Sequence, residues 1–253
     1  MVPHKKLGRL PRTYDQRVPH LSSLMAGRLS ALAPPPAVVD RMSKLPANWG
    51  VMGNDRLGDC TCAALGHAVQ LTSFVIGHER TPDDAMVLQL YQQACGWRPD
   101  DPSSDRGGNE QSVLSYVHQH GIPLAPGQTD AVAAYIEVDP RNLDDLRRVI
   151  NEAGFVYAGA DIPEAWTQGT DWTAPSPGTR PAGGHAFMIG SYDRDFFYAV
   201  SWGEVVRITP AAIQACVVEA YAVALDSWFA RSGITVGGLT KAELVEAMQG
   251  LAG

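Results

Sequence analysis

The chain has 253 residues, 45% of them hydrophobic and 8% aromatic, with a formal net charge of −7. That composition supplies a core for one large domain or one domain with appendages and excludes wholesale disorder. The acidic balance argues against nucleic acid as a partner. No apolar run reaches the roughly 18 residues that a membrane span needs, and the four cysteines make no disulfide framework.

Residues 1–45 read as an extended basic arm. Lys5, Lys6, Arg9, Arg12, Arg17 and Arg28 face Asp15 alone over residues 1–30, a local +5 that leaves −12 on the rest of the chain. Such an arm suggests contact with an acidic surface, a solvated tail being the alternative. Pro3, Pro11 and Pro19 interrupt any apolar stretch, so no signal peptide is expected. Ser22 to Leu32 has helical spacing and stops at Pro34-Pro-Pro36. The globular part begins near Leu45-Pro-Ala-Asn-Trp49.

Cys60 to Ile76 is apolar, Pro-free and spaced as a buried helix, with Asp59 as its expected N-cap. A second helix is expected from Pro82 to about Cys95, with Asp83-Asp84 suiting its first turn. A third covers Asn109 to His120 and a fourth Asn142 to Ala153. The period then changes. Phe155–Ala160, His185–Tyr192, Phe196–Ser201, Glu204–Ile208 and Ala220–Asp226 read as strands, with a short helix at Pro210 to Cys216. Thr240 to Leu251 is a small amphipathic helix behind a Gly237-Gly238 hinge. Helices first and a mostly antiparallel sheet second make an α+β pattern. It divides into the arm (1–45), a domain (46–228, helical to about 150) and a hinged C-terminal extension (229–253).

The chemistry concentrates in two blocks. The first is Met52-Gly-Asn-Asp-Arg-Leu-Gly-Asp-Cys-Thr-Cys62, and the second is Gly183-Gly-His-Ala-Phe-Met-Ile-Gly-Ser-Tyr192 with Ser201-Trp-Gly203 beyond. A thiol opening a helix, an amide six residues upstream and a histidine on a distant strand are the parts of a cysteine acyl-transfer site. A helix N-terminus favours the thiolate, whereas Asp59 beside it opposes ionisation unless turned onto the helix amides. Alone, Cys60 would be a small buried residue and His185 a core histidine. Cys60-Thr-Cys62 is too tight for an ordinary disulfide, and no second Cys/His pair has zinc-ligand spacing. No metal or other cofactor is implied.

Four motifs in order resemble the papain-like cysteine peptidases over roughly Leu45 to Ile208. Asn54, Gly58 and Cys60 occupy the family's Gln, Gly and nucleophile places, with Asn54 replacing Gln. Leu45-Pro-Ala-Asn-Trp49 resembles the approach to that motif. Gly107-Gly-Asn-Glu-Gln-Ser-Val-Leu-Ser-Tyr-Val-His-Gln-His-Gly-Ile122 resembles the stretch whose glycines wall the substrate cleft. Gly183-Gly-His185 resembles the catalytic histidine strand, and Ser201-Trp-Gly203 the segment after the orienting Asn.

The resemblance implies a helical half carrying Cys60 and a sheet or barrel half carrying His185. It also implies an oxyanion site from the Cys60 N–H and the Asn54 amide, and substrate backbone pairing at Gly107, Gly108 and Gly184. Two departures stand out. The orienting Asn falls on Val200, which cannot accept the imidazole N–H, unless a one-residue slip brings Ser201 there, with Trp202 as shield or core aromatic. The cysteines of the family's disulfide are replaced by about Leu57 and Arg106.

The function expected is a thiol hydrolase cleaving a peptide or isopeptide bond. The alternative is a weak or inactive papain-fold structural protein of a phage particle or other assembly, contacting neighbours through residues 1–45 and 229–253. A third possibility makes the arm a pro-segment over the cleft, cleaved near Lys44. The location expected is cytoplasmic or virion-associated.

Overall fold

In a computed structural model describing residues 5–28, 32–45, 48–232 and 236–249, the chain enters as an extended strap carrying one short helix, α1 (Leu21–Leu24). The helix is shorter than its spacing suggested. Gly27 takes φ +80° just beyond it, and residues 29–31 of the expected helix lie outside the described residues. Helix α2 (Cys60–Val75) follows, buried over all but its last two residues. A helix apolar on every side needs neighbours on every side, and α2 packs against helices and sheet alike. Gly66 is part of that fit, since a Cβ there would come within 2.5 Å of the Met52 sulfur.

Helices α3 (Asp84–Cys95) and α4 (Glu110–His120) start one or two residues inside the expected limits. Each has a side-chain cap, Asp83 accepting from Met86 N–H and Asn109 from Ser112 N–H. A short hairpin, β1 (Ile122–Ala125) with β2 (Gln128–Asp130), and the strand β3 (Val132–Glu137) come next. None of the three was expected. Pro123 and the Pro126-Gly127 turn broke the alternation that marks a strand. Beyond α5 (Leu143–Ala153), which Asn142 caps, lie β4 (Val156–Ile162), α6 (Glu164–Gln168), β5 (Asp171–Trp172) and β6 (Gly183–Tyr192). The chain then forms β7 (Phe197–Ser201), β8 (Glu204–Ile208), α7 (Pro210–Cys216), β9 (Val217–Leu225), α8 (Asp226–Ser232) and α9 (Lys241–Met248).

The large sheet has the order β3-β9-β4-β6-β7-β8-β5, antiparallel except where β5 meets β8. The α+β architecture is therefore the one expected. The sheet lays His185 of β6 opposite Ala160 of β4 and packs β6 against α2. No described helix is long and apolar enough to cross a membrane.

Both terminal segments are folded onto this domain. Val18, Leu21 and Met25 of the arm are buried, as are Leu239, Leu244 and Met248 at the other end. The expected glycine hinge is a packed turn at Val236–Gly238. There the Gly237 N–H bonds to Glu152, and a Cβ on Gly237 would strike the Met25 side chain. Residues 250 and 251 of the expected last helix lie outside the described residues.

Candidate active site

Cys60 is the first residue of α2 and is 1% exposed. The backbone N–H of Ala186, the residue after His185, lies close enough to draw the thiol down, and α2 packs against β6, so the start of α2 and the histidine strand meet near the thiol. His185 is equally buried. Its Nε2 bonds to Ser201 Oγ at 2.8 Å, and its ring lies flat on the Trp202 indole with centroids 3.9 Å apart and planes 13° from parallel. Nδ1 is buried and has no hydrogen-bond partner. Trp202 holds φ +49°, and Met52, two residues before Asn54, holds φ +55°. A non-glycine residue there costs about 1–3 kcal/mol, and such strain gathers around functional sites.

Ser201 thus holds the imidazole Nε2, while Val200 faces the core and pairs with Met188 across the sheet. Asn54 is buried on the loop before Cys60, but its amide donates to Leu57 O at 3.0 Å, so it is turned onto its own loop. Asp59 does not cap α2. Its backbone sits at φ −91°, ψ 15°, not in the extended conformation an N-cap needs, and both carboxyl oxygens are buried without a geometric hydrogen-bond partner. Burial pushes this carboxyl up to about 8, against the opposing pull of the Asn54 amide.

A different acid fixes the loop. The Asp105 carboxylate accepts from the Gly58 N–H, Tyr91 Oη and Lys6 Nζ at 3.0, 2.7 and 2.8 Å, and Tyr91 Oη accepts the Gly107 N–H at 2.9 Å. Burial raises the Asp105 carboxyl, but these donors outweigh it and hold it below its ordinary value. Asp105 and Tyr91 tie together the Gly58 and Gly107 segments, near the places where the family's disulfide would stand. Sequence reading missed both, because neither lies in a motif.

The arm lies across these residues. The Lys6 N–H bonds to Asn54 O, the Gly8 and Arg9 N–H groups to Gly184 O, the Leu10 N–H to Gly108 O, and the Gly108 N–H to Gly8 O at 2.9 Å. Arg9 forms a parallel bridge with Gly108. Trp202 Nε1 donates to Lys6 O at 3.0 Å, and Lys5 lies over the indole while pairing with Glu204. Gly108 and Gly184, expected to receive a substrate backbone, receive the chain's own arm. At Gly107 a Cβ would overlap the Gly8 carbonyl, and one on Gly8 would overlap the backbone of Gly58. The close approach requires glycine on both sides.

Enclosure sets the protonation of the pair. Burial, with Asp59 and Glu110 nearby, pushes the Cys60 thiol up to about 12 despite the Ala186 N–H. Burial, then Lys5 and Arg9 of the arm, pushes His185 down to about 3. At neutral pH both are uncharged while the arm is seated. His67, on the same helix, is a core residue bonded to Gly50 O at 3.0 Å. Asp83 and Asp101 serve as caps. Among the described residues no cluster of three or more His, Cys, Asp or Glu has the arrangement of a metal site.

No protein-family model matches the sequence, and no curated protein is a significant match. Among solved structures the chain is similar to xylellain, a cysteine protease from Xylella fastidiosa. The TM-score is 0.65 at 15% identity, covering 88% of this chain and 97% of that one. It is similar to procathepsin L2 from the larval midgut of Tenebrio molitor, with TM-score 0.63, 14% identity and coverage of 88% and 79%. It is also similar to a cysteine protease from Carica candamarcensis, with TM-score 0.54, 18% identity and coverage of 75% and 98%. At these identities the likeness is one of fold. The chain has the papain-like cysteine protease fold.

Proposed function

We propose that the protein is a papain-like thiol hydrolase acting on peptide or isopeptide bonds, in a latent state with residues 5–10 lying along its cleft. The carrying observation is the His185 environment. Ser201 holds one ring nitrogen, Trp202 covers the face, and the other nitrogen is bare, one residue before the Ala186 N–H that draws the Cys60 thiol down. In this reading Cys60 loses its proton to His185, attacks the carbonyl carbon and forms a thioester. His185 returns the proton to the leaving amine, and water then releases the acid. The Cys60 N–H and the Asn54 amide, once turned from Leu57, stabilise the oxyanion. Ser201 positions the imidazole. Gly107, Gly108 and Gly184 pair with the substrate backbone in place of the arm.

Latency has a physical basis. The thiolate–imidazolium pair needs solvent, which burial under the seated arm excludes, and the arm's Lys5 and Arg9 oppose the imidazolium. One of the similar structures is itself a procathepsin, which fits an arm that must leave before turnover. The alternative, a particle protein contacting neighbours through residues 1–45 and 229–253, has less support from the arm's charges. Here Lys5, Lys6, Arg9, Arg12 and Arg28 pair with Glu204, Asp105, Asp161 and Glu219, Glu137 and Glu243 of the same chain.

The test uses the full chain with Gly8→Ala, which unseats the arm. A quenched-fluorescence peptide library should be hydrolysed, with turnover lost in Cys60→Ala and His185→Ala. Turnover unchanged by Cys60→Ala would sink the reading.

A further inference from the structure

Arg9 turns from the arm into a pocket that no catalytic step uses. Its side chain is 2% exposed. Nη1 donates to Glu219 Oε1 at 2.7 Å, Nη2 pairs with Asp161, and Nε reaches Ala160 O at 3.4 Å. The second oxygen of Glu219 accepts from Tyr221 Oη at 3.0 Å, which fixes the carboxylate. Glu110, in the first turn of α4, is fully buried alongside, and both its oxygens lack a hydrogen-bond partner. Space for the side chain exists because β4 carries glycine at this point. A Cβ on Gly159 would overlap Glu110 and come within 2.6 Å of Arg9 Cδ.

We propose that this pocket is the substrate-selecting subsite of the cleft and takes an arginine side chain, which Arg9 now supplies from within the chain. The proposal rests on the thiol-hydrolase reading and names its substrate class: peptides with arginine flanked, on the side toward Cys60, by glycine. Three acceptors set around a planar fork suit a guanidinium, while an ammonium is a point charge and meets fewer of them. A leucine would leave Glu219 buried without a counter-charge. Leu10 N–H and Gly108 N–H flank Arg9 with backbone bonds to Gly108 O and Gly8 O. A segment laid in either direction along Gly108 can therefore present the same side chain to the same pocket. The glycine requirement follows from Gly8, whose Cβ would overlap Gly58.

Binding is measured on the full chain carrying Cys60→Ala and Gly8→Ala, by fluorescence anisotropy. The labelled probes are Leu-Gly-Arg-Leu, its reversed order Leu-Arg-Gly-Leu, and versions with Lys, Leu or Glu replacing Arg. The arginine peptide of at least one order should bind roughly 100-fold tighter than its leucine and glutamate versions, with lysine between, as for a close buried charge pair. Adding Glu219→Gln should shrink the arginine-to-leucine ratio about tenfold. Should Gly8→Ala fail to fold, Arg9→Ala in the full chain serves instead. It should melt at a lower temperature than the parent, and the arginine peptide, not the leucine one, should restore the melting point. Leucine peptides binding within threefold of arginine ones, or no peptide binding or rescuing either variant, would overturn the proposal. Turnover is read separately on the Gly8→Ala chain with Cys60 intact. Arginine-selective binding without turnover refutes the hydrolase and leaves the pocket, whereas turnover indifferent to arginine refutes the pocket and leaves the hydrolase.

Discussion

Replacing Gly8 by alanine should expose Cys60 without touching it. The added methyl would overlap the Gly58 carbonyl, a backbone group tied by the Gly58 N–H to Asp105, so the arm and not the loop must give way. The displacement breaks at least two hydrogen bonds, from the Gly8 N–H to Gly184 O and from the Gly108 N–H to Gly8 O. At about 1 kcal/mol net apiece, roughly 2 kcal/mol is lost from the seated state. That raises the unseated fraction roughly 30-fold. Alkylation by iodoacetamide, followed by mass spectrometry of the cysteine peptides, reads this fraction directly when opening is fast and rare. Cys60 should label about 30-fold faster in Gly8→Ala than in the parent. Cys216, at the end of α7 and outside the arm's backbone hydrogen bonds, should change its rate far less. Its rate also reports any general loosening. Equal Cys60 rates in the two folded proteins would refute the claim that the arm covers the thiol.

The pH dependence of that labelling follows from the burial of the thiol: the parent's rate should still climb at pH 10, and the opened chain's should level off at lower pH as solvent reaches a site whose thiol is otherwise held at about 12. Ser201→Ala in the opened chain should lower kcat about tenfold with little change in KM, and should shift the pH–rate profile, since one bond orienting His185 is lost while nucleophile and base remain. Asp59→Asn should stabilise the fold increasingly between pH 4 and pH 8, measured by urea melts. The unfolded carboxyl ionises near 3.8 and the folded one near 8, so across that window the parent loses up to about 1.4 kcal/mol per pH unit that the variant keeps. Asp105→Ala should cost about 3 kcal/mol in the same melts and speed Cys60 labelling, because Gly58, Tyr91 and Lys6 lose a shared acceptor.

The order of elements was legible because periodicity and caps are local. Glu204–Ile208 and Pro210–Cys216 fall where their spacing put them, and Asn109 and Asn142 cap the helices they precede. The site was legible where a motif is contiguous, so Cys60 opens its helix and His185 lies on its strand. What escaped depends on contacts between distant segments. Asp59 had the right identity for a cap, but burial next to Asn54 turned its carboxyl inward. Ser201 and Val200 could not be separated by alignment, since strand alternation decides which side chain faces His185, and a one-residue slip reverses it. Glu110 and Glu219 carried no local signal. The sequence showed only a positive arm and a negative remainder.

That charge division has a mechanical consequence. A segment joined covalently to its own cleft, with Val18, Leu21 and Met25 of the same arm packed down, competes at an effective concentration of roughly millimolar or more. A free peptide at micromolar concentration that makes the same backbone bonds to Gly108 and Gly184 is thus outcompeted about a thousandfold. It gains entry when the tether is cut or when the Arg9 anchor is lost. The backbone pairing is generic to any extended segment, whereas the guanidinium contacts with Glu219 and Asp161 are specific. In the proposed latent state, control of the cleft therefore resides in the pocket more than in the strap. Cutting the chain beyond Pro11 would remove the tether advantage while leaving the short arm peptide bound with its own affinity. The freed cleft would then open in proportion to dilution, a dependence that an uncut covalent arm cannot show.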